Sequence, residues 1–586
     1  MLLSLSPGTE FDGSSAVLRR ADDILPLDAR QCQILHLLPR LAAVEAIASA
    51  LGIGADGVLR SLAPLVSAGL VVETKGDASA RAHHFAALWR RLPARYGSRP
   101  VIVSASDGSR FGAAETQSVV GAIAAWLLRR GLRAGDRIAI VADNHPEYLL
   151  SVWAAWLAGA IVVPVDADAP PALVAAILDE VEPALVLCDE GHRAALGSRG
   201  NVVQFDPLDG AEPAAEALSA LLDESAEPDL REAPEDAPAA ILYTSGSTGR
   251  PKGVVLTQGA LYRTADVLAR AYEWRPGDVL FTPAGHHAMS GLRNPTVAAL
   301  HAGATIVSAG GMWRTQPLGV AETCERYAVT LVTTVPAVLR RWLAERERLG
   351  RQAFASLRQV LVTGAGLDEA TAEQFTRRWS VSVFNYYGLT ETCGVCVLVP
   401  PPQGRLGEGV IGVPADALVQ VVDEAGAALS PGQSGEIRIF SENLMRGYHR
   451  QPALTARVLR EGWFYTCDLG QWRDDGMLVL LGRRDDRIKT KQGEVTYPLE
   501  VERVLRDHPA IVDTAVIPFV DARGDEQLAC FVVVREAVRL DALDDWLEAR
   551  LGRSRLPART RLLDEMPLGA GGKVDRNRLR ELLDGG

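Results

Sequence analysis

The chain has 586 residues, of which 48% are hydrophobic and 23% are charged, and its formal net charge is −12. This length predicts roughly three to four domains of about 150 residues each, with large buried cores. The negative charge argues against a nucleic-acid or anionic-membrane partner for the whole chain, and seven scattered cysteines do not form a disulfide framework. The scattered cysteines make a reducing cytoplasm the expected location, and the start of the chain lacks a signal-peptide pattern.

The first part of the chain, residues 1–75, shows three amphipathic helical patterns followed by one strand. The patterns are LDARQCQILHLL, VEAIASALG and ADGVLRSLAPLVSAGLVVET. Their order is similar to a small winged-helix unit and also resembles the peptide-binding PqqD-like modules. Six basic residues stand against eight acidic ones up to Lys75, and the helix that would read DNA carries only Arg60. We therefore expect this module to dock a protein or peptide and not a nucleic acid.

A polar linker, residues 76–82, precedes a large second part, residues 83–484. Apolar runs alternate there with helical patterns, which predicts an α/β fold with parallel sheets covered by helices. The runs are RIAIVADN, ALVLCDE, ATIVSAG, LVTTVP and VLVTGAG. Past residue 400, short strands with turn signals indicate a smaller β-rich lobe. The third part, residues 485–586, mixes helices and strands and is expected to form a small α+β domain.

One stretch, Tyr148 to Val165, is uncharged over about the length that spans a bilayer. Gly159 divides it into a helical half and a β-branched half, and Pro164 closes it. We interpret the stretch as a buried helix followed by a core strand, and we predict no transmembrane segment.

The stretch LYTSGSTGRPKGVVLTQ, residues 242–258, has the composition of a phosphate-binding loop. Its small residues leave backbone N–H groups open to an anion, its hydroxyl groups add donors, and its cations neutralise charge. It differs from the common P-loop, because Pro251 stands where the second glycine should be and Gly253 follows Lys252. The residues expected at the phosphates are Thr244, Ser245, Gly246, Ser247, Thr248, Gly249 and Lys252.

Further motifs occur in a fixed order around this loop. They are WLAGAIVVPVDAD (156–168), NYYGLTETCG (385–394), WFYTCDLG (463–470), GRRDDRIKTKQGEVTYPLEVE (482–502) and GAGGKVDR (569–576). Together they resemble the ANL superfamily of adenylate-forming enzymes, which comprises acyl- and aryl-CoA ligases, peptide-synthetase adenylation domains and luciferases. The resemblance covers about residues 83–583 and implies a large domain followed by a small mobile one.

The resemblance implies a two-step reaction with ATP and Mg²⁺. A carboxylate attacks the α-phosphate of ATP to give an acyl adenylate and pyrophosphate, and a phosphopantetheine thiol of CoA or of a separate carrier protein then accepts the acyl group. The implied catalytic residues are Lys573, which would bridge the carboxylate and the α-phosphate, Thr390, which would donate to that phosphate, and Glu391, which would bind Mg²⁺.

Other residues acquire roles only through the same resemblance. Nucleotide contacts are implied for Gly364, Ala365, Gly366, Asn385, Tyr386, Tyr387, Gly388, Asp468 and Arg483, with Tyr387 at adenine and Asp468 at ribose. Asp485 matches the hinge of the mobile domain. Gly493 would let the thiol pass close to the backbone, where a side chain would obstruct it.

The segment FTPAGHHAMSGLRNP, residues 281–295, bears on the identity of the acid because it contains no acidic residue. Relatives that activate α-amino acids carry an aspartate here, and an unpaired buried ammonium group would be costly. We therefore expect an aryl or aliphatic acid without an α-amine. The pocket would include His286 or His287, which are equally good matches to the histidine of CoA ligases, and the small residues Ser290 and Gly291 would leave room in it.

Two cysteine features and several rival functions stay open. Cys467 stands where relatives usually have glycine and would crowd the nucleotide. Cys393 and Cys396 have a metal-like spacing, but no second Cys/His pair stands nearby in sequence, so a role in lining the acyl pocket is favoured over zinc. The alternatives are an amino-acid-activating adenylation protein that acts in trans, a ligand-sensing regulator with a degenerate ligase domain, and transfer from the adenylate to an amine or hydroxyl group.

Overall fold

Two large sheets, one of seven strands and one of fourteen, organise the middle of the chain, and smaller sheets stand at either end. The computed structural model describes residues 2–5, 9–12, 17–20, 23–41, 44–51, 55–67, 70–74, 85–204, 233–244, 251–311, 316–401, 407, 409–489, 495–521, 523–569 and 572–584. The fold is therefore mixed α/β, as the alternating sequence pattern predicts.

The N-terminal module contains the three helices and the final strand that the sequence predicts, and four short strands precede them. The elements are β1 (Leu2–Leu5), β2 (Thr9–Asp12), β3 (Val17–Arg20), β4 (Asp23–Pro26), α1 (Ala29–Leu41), α2 (Val44–Leu51), α3 (Ala55–Ser67) and β5 (Val71–Thr74). β1 pairs with β5, and β2, β3 and β4 form a second antiparallel sheet. The early strands have four residues each, which is too short for alternation to stand out in sequence.

The seven-stranded sheet occupies the first half of the large domain. The elements up to its hairpin are α4 (Phe85–Arg90), α5 (Leu92–Tyr96), β6 (Ile102–Ser104), β7 (Arg110–Phe111), α6 (Ala113–Arg129), β8 (Arg137–Val141), α7 (Pro146–Leu157), β9 (Ile161–Val165), α8 (Pro171–Val181), β10 (Leu185–Cys188), β11 (Val202–Gln204), β12 (Pro238–Thr244) and β13 (Lys252–Thr257). Strands β11, β10, β8, β9 and β12 are parallel neighbours in that order. β13 then pairs antiparallel with β12.

The apolar stretch around Gly159 is the helix and strand that its sequence predicts. α7 begins at Pro146, where the missing N–H costs nothing because the first helical amides have no intrahelical partner. Gly159 has φ +79°, which ends the helix and leads into β9. Both elements are buried in the core. Within the described ranges, no helix combines the length and the apolar character needed to cross a membrane.

The fourteen-stranded sheet begins with a parallel half. Its elements follow as α9 (Gln258–Ala271), β14 (Val279–Phe281), α10 (Met289–Arg293), a π-helix (Asn294–Ala299), α11 (Leu300–Ala302), β15 (Thr305–Ser308), α12 (Pro317–Arg326), β16 (Leu331–Thr334), α13 (Pro336–Ala344), α14 (Arg346–Leu349), β17 (Gln359–Val362), α15 (Glu369–Trp379) and β18 (Ser382–Tyr387). Strands β6, β15, β14, β16, β17 and β18 lie side by side and parallel. Loops at their carboxyl ends are where ligands bind in such sheets.

The same sheet continues into the predicted β-rich lobe, where all pairings are antiparallel. The elements are β19 (Val397–Leu398), β20 (Val410–Pro414), β21 (Leu418–Val422), β22 (Ser434–Phe440), β23 (Gly447–Tyr448), α16 (Pro452–Val458), β24 (Leu459–Arg460), β25 (Trp463–Trp472) and β26 (Leu478–Arg483). β23 leaves the lobe and pairs with β13 of the first sheet, so the two large sheets are tied together at this point.

The N-terminal module packs directly on this lobe. One apolar cluster contains residues of its three helices together with Leu418, Phe440 and Trp463 of the lobe. The Gln33 side-chain amide donates to the backbone carbonyl of Glu461. The edge of His36 contacts Phe440, with 5.9 Å between ring centroids. The module and the lobe therefore share a single core.

The C-terminal domain is small and α+β, as predicted. Its elements are β27 (Ile488–Lys489), β28 (Val495–Thr496), α17 (Pro498–Arg506), β29 (Ile511–Val520), β30 (Glu526–Val534), α18 (Leu540–Leu551), β31 (Arg559–Leu563) and α19 (Arg576–Asp584). Buried Arg340 of α13 joins it to the large domain, because its Nε donates to Asp513 Oδ1 at 2.7 Å and its Nη1 to Asp368 Oδ2 at 3.4 Å.

Candidate active site

The predicted phosphate loop joins two paired strands of the first sheet. Thr244 stands opposite Lys252 at the end of the β12–β13 hairpin. Leu242 and Val254, farther along the two strands, are buried and anchor the hairpin in the core. The predicted phosphate contacts of the residues between the strands stay predictions, because these residues lie outside the described ones: Ser245, Gly246, Ser247, Thr248 and Gly249.

The motif NYYG lies at the carboxyl end of β18 in the second sheet. Side chains alternate along a strand, so Asn385 and Tyr387 share one face and Tyr386 occupies the other. Tyr386 accordingly packs in the large core cluster, and Tyr387 packs in the cluster of the β lobe. The predicted nucleotide contact of the Tyr386 side chain is therefore not supported. Gly388 lies against the backbone of Gly394, where an added Cβ would come within 2.5 Å of a carbonyl oxygen.

Asn385 presents a buried polar atom that needs a partner. Its residue is 8% exposed, and within the described structure its side-chain oxygen accepts no hydrogen bond. Its backbone carbonyl is held by the Tyr272 hydroxyl at 3.1 Å. An unsatisfied buried acceptor is costly, and the amino group of adenine is a donor that would satisfy it. Asn385 therefore fits the nucleotide that the resemblance implies.

Asp468, the predicted ribose ligand, is buried beside two partners. The Tyr387 hydroxyl donates to Asp468 Oδ2 at 2.6 Å, and Arg483 Nε lies 3.5 Å from Oδ1. Asp468 and Arg483 are also opposite each other in the β25–β26 ladder. Burial raises the pKa of Asp468 above its usual value, and Arg483 and the Tyr387 hydrogen bond oppose this rise. The strands thus bring together three of the predicted nucleotide residues from separate motifs.

Glu391 is oriented by a residue that the sequence motifs do not reveal. The Tyr448 hydroxyl donates to Glu391 Oε1 at 2.8 Å, and Lys252 Nζ lies 5.7 Å from the centroid of the Tyr448 ring. Tyr448 belongs to β23, which is why it reaches both the phosphate hairpin and Glu391. Thr390 begins the short 3₁₀ turn that carries Glu391. No signal marks Tyr448 in the sequence, since a tyrosine in a two-residue strand has no pattern around it.

Lys573 reaches the site from the C-terminal domain. A Cβ added to Gly364 would lie 2.5 Å from Lys573 Cε, so the lysine side chain occupies the space that this glycine leaves open. Gly364 has φ +86°, which also favours glycine. Ala365 and Gly366 complete the turn after β17, and Gly366 faces Leu499 of α17. The predicted turn and the predicted lysine are therefore neighbours, although they come from different domains.

The electrostatic surroundings of Lys573 join it to the other predicted residues. Desolvation by the surrounding protein lowers the pKa of Lys573 below the usual lysine value, Glu391 opposes this, and Arg483 adds to it. The side chain nevertheless keeps a solvent-exposed surface. A cation that is crowded but still accessible is available to an incoming anion.

The segment expected to hold the acid wraps into α10. His286 is buried, and its Nδ1 lies 2.9 Å from the carbonyl of Gly291. The neighbouring His287 has a different environment, because its Nδ1 lies 3.8 Å from Asp166 Oδ1. The expectation that Gly291 leaves pocket space is wrong, because a Cβ there would come within 2.0 Å of the Gly285 carbonyl oxygen. Its missing side chain permits close backbone packing instead, whereas Ser290 stays partly exposed.

The cysteine that replaces the usual glycine has a glycine-like backbone. Cys467 has φ +59°, a conformation that side chains disfavour. Its Sγ accepts a hydrogen bond from Arg484 Nη2 at 3.3 Å, so it contacts the turn that contains the predicted hinge residue Asp485. Gly493 and its predicted thiol passage lie outside the described residues.

The pair Cys393 and Cys396 is buried in apolar surroundings. Burial raises the pKa of Cys393 to about 11 and that of Cys396 to about 12. Cys396 Sγ donates to the Tyr387 carbonyl at 3.6 Å. Over the part of the chain that the structure describes, no group of three or more His, Cys, Asp or Glu side chains could hold a metal ion by itself. Mg²⁺ needs no such group, since it is usually bound by one or two carboxylates together with substrate phosphates and water.

Comparison with known proteins identifies the family. The AMP-binding enzyme family matches residues 89–449, and the AMP-binding enzyme C-terminal domain matches residues 500–573. The indoleacetate–CoA ligase of Aromatoleum aromaticum is 31% identical over 80% of this chain and 92% of its own length. The fatty acid–[acyl-carrier-protein] ligase of Streptomyces coeruleorubidus is 30% identical over 78% of this chain and 89% of its own.

A solved structure matches the fold as a whole. The o-succinylbenzoate coenzyme A synthetase of Bacillus subtilis, in complex with ATP and magnesium ion, superposes with a TM-score of 0.72 at 26% identity, covering 84% of this chain and 99% of its own. The ordered motifs, the shared fold and these matches together establish that the chain belongs to the AMP-binding enzyme family of the ANL superfamily and is an AMP-forming acid–thiol ligase.

Proposed function

We propose that this ligase activates a carboxylic acid without an α-amine and that Lys573, Thr390 and Glu391 are its adenylation residues. The observation that carries the proposal is the position of Lys573 against Gly364, within electrostatic reach of Glu391 and Arg483. The C-terminal domain thereby delivers a cation to the cleft that contains the predicted nucleotide residues. Attack of a carboxylate on a phosphate brings two anions together, so a fixed cation at their meeting point lowers the barrier.

The nucleotide is proposed to lie along the edge formed by the loops after β17 and β18 and by the β25–β26 ladder. Asn385 would accept a hydrogen bond from the adenine amino group. Asp468 would accept hydrogen bonds from the ribose hydroxyl groups, and its hydrogen bond from the Tyr387 hydroxyl would weaken in exchange. Thr244 and Lys252 would screen the β- and γ-phosphates together with the loop between them. This arrangement is supported by the unsatisfied oxygen of Asn385 and the burial of Asp468.

Glu391 is proposed to hold the magnesium ion, with Tyr448 as the group that orients it. Bound Mg²⁺ would neutralise negative charge on the phosphate oxygens. The hydrogen bond from Tyr448 leaves one carboxylate oxygen of Glu391 for a ligand. Because Mg²⁺ binds carboxylate oxygen and retains several waters, a single oriented carboxylate beside phosphates fits its chemistry.

The acid is proposed to be aryl or aliphatic, and the acceptor a thiol supplied in trans. The segment 281–295 contains no carboxylate to pair with an α-ammonium group. CoA and an acyl carrier protein are both candidate acceptors, since the names of the two relatives above specify one of each. Rotation about Asp485 would withdraw Lys573 and present the loop that contains Gly493 for thiol transfer. Residues 1–75 would dock a carrier protein or a peptide.

The test is pyrophosphate release from ATP and Mg²⁺ across a panel of aryl, fatty and amino acids, with and without CoA. We expect release with aryl or fatty acids, and thioester formation only when a thiol is added. Glu391→Gln and Lys573→Ala are the matched inactive controls. Release with amino acids alone would establish the amino-acid alternative, and failure of the full-length protein to bind Mg·ATP in calorimetry would support the regulator alternative and overturn the proposal.

A further inference from the structure

Arg293 is a fully buried cation within the segment 281–295, which is expected to contribute to the acid pocket. It ends α10 within the segment 281–295, and its side chain has no exposure to solvent. A Cβ added to Gly394 would lie 2.9 Å from Arg293 Nη1, so the arginine fills the space beside the turn that follows Glu391. The Tyr386 ring centroid lies 5.8 Å from Arg293 Cζ. Arg293 therefore connects the acid segment, to which it belongs, with the motif that carries Glu391.

The charge of Arg293 has no described counter-ion. Its Nη1 donates to the Cys393 carbonyl at 3.0 Å, and its Nε and Nη2 donate to Asn294 Oδ1 at 3.1 and 2.9 Å. Across the described residues, no carboxylate is paired with it. An arginine keeps its proton at all ordinary pH values. Burying such a charge without an anion is costly, and neutral acceptors compensate only part of that cost.

Asn294 provides a second, independent indication. Arginine has donors only, so the oxygen of the Asn294 amide must face it and the nitrogen must point elsewhere. That nitrogen, Nδ2, is buried and has no acceptor among the described residues, and Asn294 itself has no exposure to solvent. The chain also changes here from α-helix to π-helix, a rare form that concentrates at functional sites. A buried cation and a buried donor thus lie side by side, both short of an anionic acceptor.

A comparison within the molecule separates this arrangement from an ordinary buried arginine. Arg438 of the β lobe is also buried and also donates twice to an amide oxygen, that of Gln420. Its Cζ, however, lies only 4.3 Å from the centroid of the Trp463 ring, and the Gln420 nitrogen contacts Cys32 Sγ at 4.0 Å. In the Arg438 pair the amide nitrogen therefore has a contact within the protein, whereas in the Arg293 pair Asn294 Nδ2 has no acceptor among the described residues.

We propose that Arg293 and Asn294 form a recognition site for a second anionic group, carboxylate or sulfonate, on the acid that the enzyme activates. This inference rests on the proposed function and names its substrate class. The first carboxylate of the substrate would meet Lys573, and the second anion would accept hydrogen bonds from Arg293 and from Asn294 Nδ2. A monoacid of the same shape leaves the Arg293 charge without an anion and Asn294 Nδ2 without an acceptor, and this loss is the basis of selection.

The experiment compares matched acids in the pyrophosphate-release assay with the full-length enzyme. The pairs are hexanoic and adipic acid, 4-methylbenzoic and terephthalic acid, and 4-methylbenzoic and 4-sulfobenzoic acid. For at least one pair, we expect kcat/KM to favour the doubly anionic acid by about 10- to 100-fold, the range of a hydrogen bond to a charged group. Arg293→Met should remove this preference.

Asn294→Asp gives a second and sharper test. It supplies Arg293 with an internal carboxylate, so the pocket no longer needs an anion from the substrate. We expect this variant to fold and to lose its preference for the doubly anionic acid. Arg438→Met is the control, because it removes a comparable buried arginine outside the pocket and should leave the ratio between paired acids unchanged.

The outcomes distinguish a failure of the proposed function from a failure of the proposed anion site. If no acid of either class releases pyrophosphate, the proposed function fails and this inference fails with it. If wild-type enzyme turns over monoacids and ignores the second anion in all pairs, the proposed function stands and the inference is overturned. The inference is also overturned if Arg293→Met and Asn294→Asp lower the rates of paired acids equally, since that result would mean that Arg293 only stabilises the fold.

Discussion

At the N-terminal end of the chain, α1 places His36 against Phe440 of the β lobe; at the C-terminal end, β29 places Asp513 against Arg340 of the large domain. The first contact belongs to a continuous apolar cluster that includes Trp463. The second belongs to a buried ionic group, in which Arg340 also bonds Asp368. Two small units are thus attached to one large domain by different chemistry.

The difference matters for motion. Separating the apolar interface would expose large hydrophobic side chains to water, and nothing compensates for that exposure. Separating the ionic interface returns charged groups to water, whose hydration offsets most of the lost attraction. The C-terminal domain also packs Leu568 against an apolar cluster of the large domain, but its buried ionic group lowers the cost of leaving and returning. The comparison therefore supports a fixed N-terminal module and the proposed rotation of the C-terminal domain.

Deleting residues 1–74 should have the largest effect on stability. It would expose Leu418, Phe440 and Trp463, each worth roughly 1.5–3 kcal/mol when buried, so we expect a loss on the order of 5 kcal/mol. Thermal melting and gel filtration would measure it. A truncation after residue 497, which removes most of the C-terminal domain, is the control and should leave the large domain folded. Equal melting of the N-terminal deletion and the full chain would contradict a shared core.

This prediction changes how partner docking is to be tested. Loss of a partner after deletion of residues 1–75 would not distinguish docking from unfolding of the lobe. Substitutions at exposed positions of the module, such as Arg60→Glu and Val66→Asp, avoid that ambiguity.

Lys573→Ala should have the largest effect on chemistry. Removing a donor placed where charge develops typically lowers the rate by about 10²–10³-fold, and we expect that loss in pyrophosphate release. Thioester formation from a pre-made adenylate should be spared, because the proposed rotation of the C-terminal domain would by then have withdrawn the lysine. Arg580→Ala, an exposed change on α19, is the control. Equal damage to both half-reactions would contradict the alternation.

Arg340→Met should weaken the closed position without unfolding either domain. It removes the guanidinium that bonds both Asp368 and Asp513 and leaves Arg506 as the cation that interacts electrostatically with these buried carboxylates, so their burial in the closed position becomes less favourable. We expect pyrophosphate release to fall about 10-fold while the melting temperature of the large domain changes little. Arg341→Met removes a neighbouring exposed ion pair with Glu565 and should change the rate less than about 2-fold. Similar effects of the two variants would show that the buried group does not control closure.

Cys467→Gly should have the smallest effect, a gain in stability. The backbone at this position has φ +59°, and glycine relieves the strain, which is worth about 0.5–1 kcal/mol. Cys467→Ala is the matched control, because it removes the sulfur and keeps the strain. Urea unfolding would separate the two. If alanine stabilises as much as glycine, the contact with Arg484 and not the backbone accounts for the effect.

Much of this protein follows from its sequence. Continuous apolar runs, which alternate along the chain with helical patterns, predict the parallel strands β8, β10, β15, β16 and β17. A strand that is buried on both faces must be apolar throughout. The motif order predicts the family, because phosphate, magnesium and carboxylate chemistry needs particular side chains in one cleft. The break at Gly159 distinguishes a buried helix and strand from a membrane span, because glycine ends the helix there.

Other features depend on contacts between distant parts of the chain, and local patterns carry no information about them. Tyr448 meets Glu391 across 57 residues, and Arg340 meets Asp513 across 173. Gln33 meets the Glu461 carbonyl across 428, which joins the N-terminal module to the lobe. The burial of the Tyr386 side chain by alternation along β18 and the close packing of Gly291 against Gly285 likewise could not be read from the motif letters alone. Composition and motif order determine the elements and the chemistry, whereas tertiary packing decides which side chains meet, because a contact is set by the folded positions of both partners.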